Sequence, residues 1–379
     1  MPSLYERLNS VNPIQKKAPE PKTPSYLLIR ETLADIAAPD AALFTEEIMN
    51  DLSKGSARRS FLPGDFLFFD TETTGLSRGA GTVAFLIGYG RFIKGKLMVT
   101  QVLMRDYPQE VLLLEDFLTR MSSCDCLISY NGLTFDLPLL QGRLIMNRLR
   151  SDLSEKTHLD LLHIARRVYK LRLGRVPLTR LEEAVLGLKR KDDLPGAMVP
   201  ARYFEYLEKR DETLLDDVLE HNFQDIVSLA RVFLTIAGLY QNPHLAASHQ
   251  DLFSIGRAYE TMGKKDRAIS CYKACSDKTV RDLARFRMAE IYRKSKRDEE
   301  AVSNFEALQK DGAQSARVFI GLAKIYEHRY RNPRRALEIA RQGMVYCFER
   351  FGEEAQQLPD FQDLERRSLR LSRKVEKER

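Results

Sequence analysis

The sequence predicts an α/β domain with a mixed sheet, followed by a region made only of helices. Up to about residue 240, short apolar runs typical of buried strands occur together with amphipathic stretches of helical periodicity. Beyond residue 243 the strand-like runs end, and small and aromatic residues recur at intervals of 33 and 34 residues. The chain has 379 residues, which is too long for one average domain and is consistent with this division.

The expected order in the first part is three strands, a helix, a fourth strand and then helices. The strands are predicted over residues 66–69, 83–89, 97–104 and 126–130. The helices are predicted over residues 110–121, 158–169, 178–188 and 214–237. Before the first strand, residues 27–52 carry apolar side chains at roughly helical spacing, which predicts one or two short helices at the edge of the domain.

Composition limits the classes of partner and location. The 60 Lys and Arg against 53 Asp and Glu give a net charge of +7, which permits a polyanionic partner. Neither a membrane-spanning run nor the apolar core of a signal peptide is recognisable, so we expect no membrane association and a cytoplasmic protein. The five cysteines lack the spacing of a zinc site, and we expect reduced, packed thiols.

Asp70-Thr71-Glu72 is the first cluster with chemical content. An alternating pair on a strand points both carboxylates to one side of the sheet, where their repulsion is unfavourable unless a cation lies between them. The turn Thr73-Thr74-Gly75-Leu76 comes next, and its backbone N–H groups could approach a ligand. Taken alone, the pair is equally explained by solvated residues at a strand end.

Two further clusters lie farther along the chain. The stretch Tyr130–Pro138 is placed where a strand gives way to a helix, so N-terminal capping is an alternative explanation for Asp136. His221 and Asp225 are four residues apart in a helical stretch and therefore share a face, although a surface pair would have the same spacing.

The three clusters together favour a metal site. Hard divalent cations such as Mg²⁺ or Mn²⁺ select carboxylate ligands, here Asp70, Glu72, Asp136 and Asp225. A histidine one helical turn from a metal carboxylate can take a proton from an attacking water, which is a role open to His221. Composition and spacing therefore predict a two-metal phosphodiesterase.

The chain resembles the DEDD exonucleases of the ribonuclease H-like fold, and more closely the bacterial YprB-type ribonuclease H-like domain family. The resemblance rests on FFDTETTGLS, SYNGLTFDLPLL, HLDLLHIARR, LPGAMVPARYFEYL and HNFQDIVSL, which lie between residues 66 and 229. It implies a mixed central sheet flanked by helices and a 3′→5′ exonuclease that uses two Mg²⁺ or Mn²⁺ ions on DNA or RNA.

The resemblance also implies a role for each carboxylate. Asp70 would bridge the two metals, Glu72 and Asp225 would bind the metal that holds the nucleophilic water, and Asp136 would reach the other metal. Proofreading-type relatives have a His five residues before the last Asp or a Tyr four before it, whereas His221 is four before. The resemblance therefore leaves His221 as either a general base or an orienting group.

Substrate contacts are implied by the same resemblance. In such relatives the turn after the Glu cradles the terminal nucleotide, and Asn131 of the second motif is a further candidate for substrate binding. The candidates in the turn are Thr73, Thr74, Gly75 and Leu76.

Other polar groups have ordinary structural explanations. His158 and Asp160 are expected near a helix start, in capping and orienting roles. The basic runs 166–175 and 189–191 are explained equally by a groove that follows a phosphate backbone and by a solvated surface.

The periodic C-terminal part resembles the tetratricopeptide repeat. Gly256, Ala289 and Ala323 mark the period, and each is followed three residues later by Tyr. Helix pairs of this kind need small residues where helices cross and aromatic residues where they interlock. The resemblance implies a protein partner bound by the repeats.

The expected domain organisation has four parts. These are an N-terminal arm or linker with short helices, a ribonuclease H-like exonuclease domain, tetratricopeptide-like repeats, and a charged tail or capping helix, at residues 1–58, 59–240, 248–348 and 349–379. Two other functions are compatible with the same motifs. One is a non-catalytic nucleic-acid-binding or scaffold protein, and the other is a structure-selective endonuclease with the same metal site.

Overall fold

The computed structural model describes residues 26–75, 81–150, 156–191, 193–312 and 315–377. Within these residues six strands form one mixed sheet, in the order β1-β4-β3-β2-β5-β6. The four strands β1, β4, β3 and β2 pair antiparallel, whereas β5 and β6 are added in parallel on the other side of β2. The strands are β1 (Leu28–Ala37), β2 (Phe66–Thr73), β3 (Ala84–Ile93), β4 (Lys96–Leu103), β5 (Cys126–Ser129) and β6 (Thr157–Asp160).

Helices flank this sheet, which confirms the predicted α/β class. They are α1 (Glu46–Ser53), α2 (Glu110–Ser122), α3 (Asp136–Met146), α4 (Leu161–Leu173), α5 (Leu178–Leu181), α6 (Val199–Lys209) and α7 (Asp216–Gln241). A π-helical turn, Glu182–Leu186, continues α5.

The region after α7 is helical, as predicted. Its helices are α8 (His249–Thr261), α9 (Lys265–Lys273), α10 (Lys278–Lys294), α11 (Asp298–Lys310), α12 (Arg317–His328), α13 (Pro333–Phe351) and α14 (Pro359–Lys377).

Two strands were missed by the sequence analysis. The first half of the segment 27–52 is the edge strand β1, so the prediction of helices there was wrong, and only α1 and a short 3₁₀ turn are helical. The start of the predicted helix 158–169 is the end of β6, which pairs with β5. In both cases pairing with a distant strand overrides the local pattern.

β2 is covered on both faces, which explains its continuous apolar run. Phe66 and Phe68 pack against Phe233 of α7, with ring centroids 5.0 and 5.8 Å away. Leu67 and Phe69 belong to the core on the opposite face. Strand alternation therefore turns residues 70 and 72 toward the α7 side.

α7 is the long central helix of the α/β domain. Residues 212–241 contain an apolar 18-residue window that by length and composition is sufficient to cross a membrane. In the fold, 56% of this apolar window is buried, with side chains such as Phe233 and Ile236 packed into the protein core. The apolar composition of α7 is therefore that of a core helix.

Small residues allow the repeat helices to cross closely. A Cβ on Gly256 would lie 2.7 Å from the ring of Tyr272, and one on Gly321 would lie 2.5 Å from Phe305. The last helix, α14, buries Phe361 and Leu364 against the array. Residues 359–377 therefore form a helix that packs on the end of the array.

The repeats continue directly from the α/β domain. The Tyr259 hydroxyl donates to the carbonyl of Tyr240 at 2.8 Å. Arg172 of α4 donates to both oxygens of the buried Asp251 of α8, at 3.0 and 2.8 Å. One apolar core extends from the sheet through α7 into the repeats.

Candidate metal centre

Asp70 and Glu72 lie on the C-terminal half of the central strand β2, on the side that faces α7. Glu72 is buried, and Asp70 keeps partial contact with solvent. The two residues are two positions apart on a strand, so their carboxylates lie on the same side of the sheet.

The sheet has a notch at Gly88, where no side chain is present, and this space lets α7 approach Asp70. Asp70, Gly88 and Gln101 are aligned across β2, β3 and β4. The side chain of the fully buried Asn222 lies over Gly88, donates to Oδ2 of Asp70 at 3.1 Å and accepts from Gln101 at 3.1 Å. A buried amide relay therefore fixes the orientation of Asp70, and it depends on the missing side chain at residue 88.

Gly88→Ala should disrupt this relay. The new Cβ would lie 2.1 Å from Oδ1 of Asn222, which has no room to move away. We expect a loss of about 1–3 kcal/mol in the free energy of unfolding, measured by denaturant titration. Gly238→Ala on α7, where a Cβ meets no atom within 4 Å, is the matched control. The double variant Gly88→Ala/Asn222→Ala should recover part of the loss; no recovery would contradict the proposed clash.

Asp136 reaches the site from the N-terminus of α3. Its buried carboxylate accepts a hydrogen bond from the Thr71 hydroxyl. A Cβ on Gly132 would lie 2.3 Å from Oγ of Ser129 and 3.4 Å from Oδ2 of Asp136. Glycine at residue 132 therefore lets the loop after β5 pass close enough to aim Asp136 at the end of β2.

His221 and Asp225 share one face of α7, as their spacing predicted. Nδ1 of His221 lies 2.7 Å from Oδ1 of Asp193, and Nε2 lies 3.7 Å from Oδ2 of Asp225. A proton on Nδ1 would be donated to Asp193, which leaves Nε2 as the unprotonated nitrogen on the Asp225 side. Asp193 was not identified from the sequence, and it orients the imidazole.

Arg190 also enters the site. Its guanidinium donates to Asp225 and makes a two-pronged ion pair with the buried Glu182. Nη1 is 3.1 Å from Oδ2 of Asp193. The basic run 189–191 was expected to lie on a groove or a solvated surface, but the Arg190 side chain is only 10% exposed.

The carboxylates of the site perturb one another. Burial raises the pKa of Asp70 well above its ordinary value, and the neighbouring charges of Asp225, Glu72 and Asp136 raise it further. The pKa of Glu72 is raised well above its ordinary value by burial and by the charge of Asp225. Burial also raises the pKa of Asp136 to about 6 and that of Asp225 above its ordinary value. The four predicted ligands therefore lie close enough to repel one another.

The donor set fits a hard divalent cation in its chemistry, since it consists of carboxylate oxygens whose repulsion a cation would relieve. Within the described residues, no three acidic, histidine or cysteine side chains are grouped closely enough to hold a metal ion as they stand. Two of the four predicted ligands have partners within the protein, since Asp225 accepts from Arg190 and Asp136 accepts from Thr71. Direct ligation by all four residues stays a prediction.

The raised pKa of Asp136 predicts a pH dependence of stability. Between about pH 4 and 6 the unfolded chain loses the Asp136 proton while the folded protein keeps it, so folding stability falls as pH rises through this window. The burial of Asp70 and Glu72 acts in the same direction. In EDTA at pH 7.5, we expect Asp136→Asn to be more stable than the unmodified protein by about 3 kcal/mol.

Urea unfolding in EDTA at pH 4 and at pH 7.5 measures this effect, and the difference between the two proteins should nearly vanish at pH 4. Asp35→Asn, an exposed change on β1, is the control. A difference that is the same at both pH values would contradict the titration of Asp136.

The predicted substrate turn is held by its own hydrogen bonds. The Thr73 hydroxyl donates to the carbonyl of Gly75 at 2.7 Å, and the Thr74 hydroxyl accepts from the backbone of Val83 at 3.0 Å. Leu76 lies outside the described residues. The contact of this turn with substrate stays a prediction.

Asn131 begins the loop between β5 and α3 in a left-handed conformation, with φ of 67°. Its side-chain oxygen accepts from the Thr134 hydroxyl at 2.7 Å, and its backbone N–H donates to Asp160 at 2.8 Å. Asp160 also caps α4 through Leu162, as expected. Asn131 thus shapes the loop, and its substrate role also stays a prediction.

The basic run on α4 is partly structural. Arg167 donates to the carbonyls of Asp51 and Leu52, and Arg172 is paired with Asp251. These two side chains are therefore not available to line a phosphate groove. All five cysteines are buried, as expected of packed thiols.

The residues that sequence reasoning missed are Gln101, Glu182, Arg190, Asp193 and Asn222. Asn222 lies between His221 and Asp225 in the quoted motif HNFQD, so its proximity to the site could have been inferred. Arg190 and Asp193 belong to the charged segment 189–193, whose local pattern is that of a solvated loop.

Comparisons with known proteins agree with the fold and the repeats. Residues 67–237 match the RNase_H superfamily, and residues 252–277 and 283–311 each match the tetratricopeptide repeat. A solved family B DNA polymerase from the hyperthermophilic archaeon Pyrobaculum calidifontis aligns at 17% identity over 54% of this chain and 30% of the polymerase. Its TM-score of 0.35 is too low to support a conclusion.

A relative in Bacillus subtilis (strain 168), "Uncharacterized protein YprB", is 34% identical over 300 residues. The alignment covers 77% of this chain and 72% of the relative. With its ribonuclease H-like domain and C-terminal tetratricopeptide repeats, the chain belongs to the YprB family.

Proposed function

We propose that the protein is a divalent-metal-dependent nuclease, specifically a 3′→5′ exonuclease that acts on DNA or RNA by a two-metal mechanism. The observation that carries the proposal is the meeting of Asp70, Glu72, Asp136 and Asp225, from three separate segments, at one end of β2, where the charges of the other three raise the pKa of Asp70. A fold tolerates such repulsion when a cation bound there offsets it. Membership of the RNase_H superfamily supports nuclease activity in general.

The four carboxylates would hold two Mg²⁺ or Mn²⁺ ions. When bound, such ions stabilise the negative charge on the entering and leaving oxygens of a phosphodiester displacement. The buried Asn222 holds Asp70 in one orientation, so the oxygen that it leaves free has a fixed direction. Thr71 does the same for Asp136.

His221 is the proposed general base. Asp193 holds the imidazole by Nδ1, and Nε2 is directed to the side where Asp225 lies. In this orientation Nε2 can accept a proton from a water beside Asp225, and Asp193 stabilises the imidazolium that results. The alternative role left open by the sequence is that His221 only orients Asp225 or the water.

The proposed partners are a nucleic-acid strand at the acidic site and a protein bound by the repeats. The net charge of +7 favours a polyanion. The helical array from α8 to α14 supplies the kind of extended surface on which repeat proteins bind partners. The cytoplasm is the proposed location.

A nuclease panel tests the proposal. Single- and double-stranded DNA and RNA, labelled at one end, are incubated with Mg²⁺ or Mn²⁺ and with EDTA, using Asp70→Asn as the inactive control. A 3′→5′ exonuclease shortens a 5′-labelled strand to a ladder and leaves a circular single strand intact. Cleavage of the circle would favour the endonuclease.

One observation favours a non-catalytic role as the second candidate. Arg190 supplies positive charge to Asp225, so part of the repulsion is offset by the protein itself. Binding of labelled strands by the unmodified protein with no turnover in any arm of the panel would favour this second function.

A further inference from the structure

Arg190 brings a positive charge to one of the four predicted metal ligands, Asp225. Its guanidinium contacts three carboxylates, those of Glu182, Asp193 and Asp225. Its positive charge also lowers the pKa of Glu72, against the effect of burial. Arg190 therefore neutralises part of the acidic site.

The contacts of Arg190 are unequal. Glu182 is buried and accepts from Nε at 2.7 Å and from Nη2 at 2.5 Å, the parallel geometry in which arginine and carboxylate bind most strongly. Asp225 receives only one bond, from Nη2, and its side chain is 20% exposed. Glu182 is thus the anchor of the guanidinium, and the contact with Asp225 is the one that can be exchanged.

We propose that Arg190 is a resident counter-cation that competes with a divalent metal ion for Asp225 and so sets the metal affinity of the site. This inference rests on the proposed function, since it requires that Asp225 be a metal ligand. A doubly charged ion gains more from the surrounding carboxylates than a guanidinium does, so it can displace Nη2 from Asp225 while Glu182 retains Arg190.

A competing role and a purely structural role of Arg190 predict different effects on metal affinity when Arg190 is removed. A residue that only stabilises the loop would affect folding and leave the affinity for metal unchanged. A residue that competes at Asp225 must weaken metal binding, so its removal must tighten it.

Titration with Mn²⁺, followed by the electron paramagnetic resonance signal of the free ion, tests the proposal on the full chain. Arg190→Gln should bind Mn²⁺ about tenfold more tightly than the unmodified protein, as expected if one charge-assisted hydrogen bond no longer competes. Since this change leaves Glu182 buried without its partner, the double variant Glu182→Gln/Arg190→Gln is measured as well. It removes one charge of each sign, so the net charge of the site is unchanged, and it should also bind about tenfold more tightly.

Arg180→Gln, a change on α5 at a side chain that is 51% exposed, is the control and should bind like the unmodified protein. If the unmodified protein binds Mn²⁺ and the double variant binds it equally or more weakly, the inference about Arg190 is overturned and the metal site is not. If neither protein binds Mn²⁺, the metal-dependent function falls together with the inference.

Discussion

Asp70→Asn should lower Mn²⁺-dependent degradation of a labelled strand by about a thousandfold or more. Asp70 is the carboxylate on which the other three converge, and the neutral amide removes the charge that would hold both metal ions. A loss of several kcal/mol of transition-state stabilisation corresponds to this factor. The amide has the size of the carboxylate and can still accept from Asn222, so the fold should be retained.

Initial rates of the two purified proteins, at equal concentration and saturating Mn²⁺, measure the effect. Circular dichroism and the midpoint of urea unfolding report whether the variant is folded. Asp35→Asn makes the same chemical change on an exposed position of β1 and should degrade the strand at the unmodified rate. Equal rates for Asp70→Asn and the unmodified protein would reject the assignment of the site.

Asp51→Ala should lower the free energy of unfolding by about 1–3 kcal/mol. Asp51 is buried at the end of α1, and Nζ of Lys264 lies 2.6 Å from its Oδ1. Arg267 of α9 lies 3.4 Å from its Oδ2. The change leaves two cations without their buried partner at the contact between the α/β domain and the first repeat.

Glu47→Ala is the matched control for this change. Glu47 contacts the same two cations, at 3.1 and 3.0 Å, but its side chain is 54% exposed. Pairs in such contact with solvent contribute about 1 kcal/mol or less. Denaturant unfolding of the two variants measures the contrast, and equal losses would show that burial of Asp51 does not determine the strength of the contact.

The sequence predicts those strands and helices whose conformation is determined by a local hydrophobic pattern. The strand around Phe66–Phe69 and the helix that became α7 are long or apolar enough for their periodicity to be recognised. β1 was not predicted, because it is an edge strand on which Ile29 and Leu33 are exposed and which shifts register between Ala34 and Ala37. Its conformation depends on pairing with β4, which lies about 70 residues later in the chain.

The same distinction applies to the site. The acidic residues were predicted because their types and spacings are typical of one chemistry, and the structure brings them to one end of β2. Arg190 could not have been predicted, since nothing in the charged segment 189–193, which has three basic residues followed by two acidic ones, shows that one side chain turns inward to Glu182. The notch at Gly88 depends on a contact with Asn222, 134 residues away, that only the folded chain reveals.

The apolar core that continues from α7 into α8 joins the repeats directly to the α/β domain. Separating the chain between α7 and α8 would expose apolar surface around Tyr240 on one fragment and around Tyr259 on the other. Each fragment would then tend to self-associate. The place at which the repeats would hold the proposed partner, relative to the acidic end of the sheet, is therefore set by this shared core.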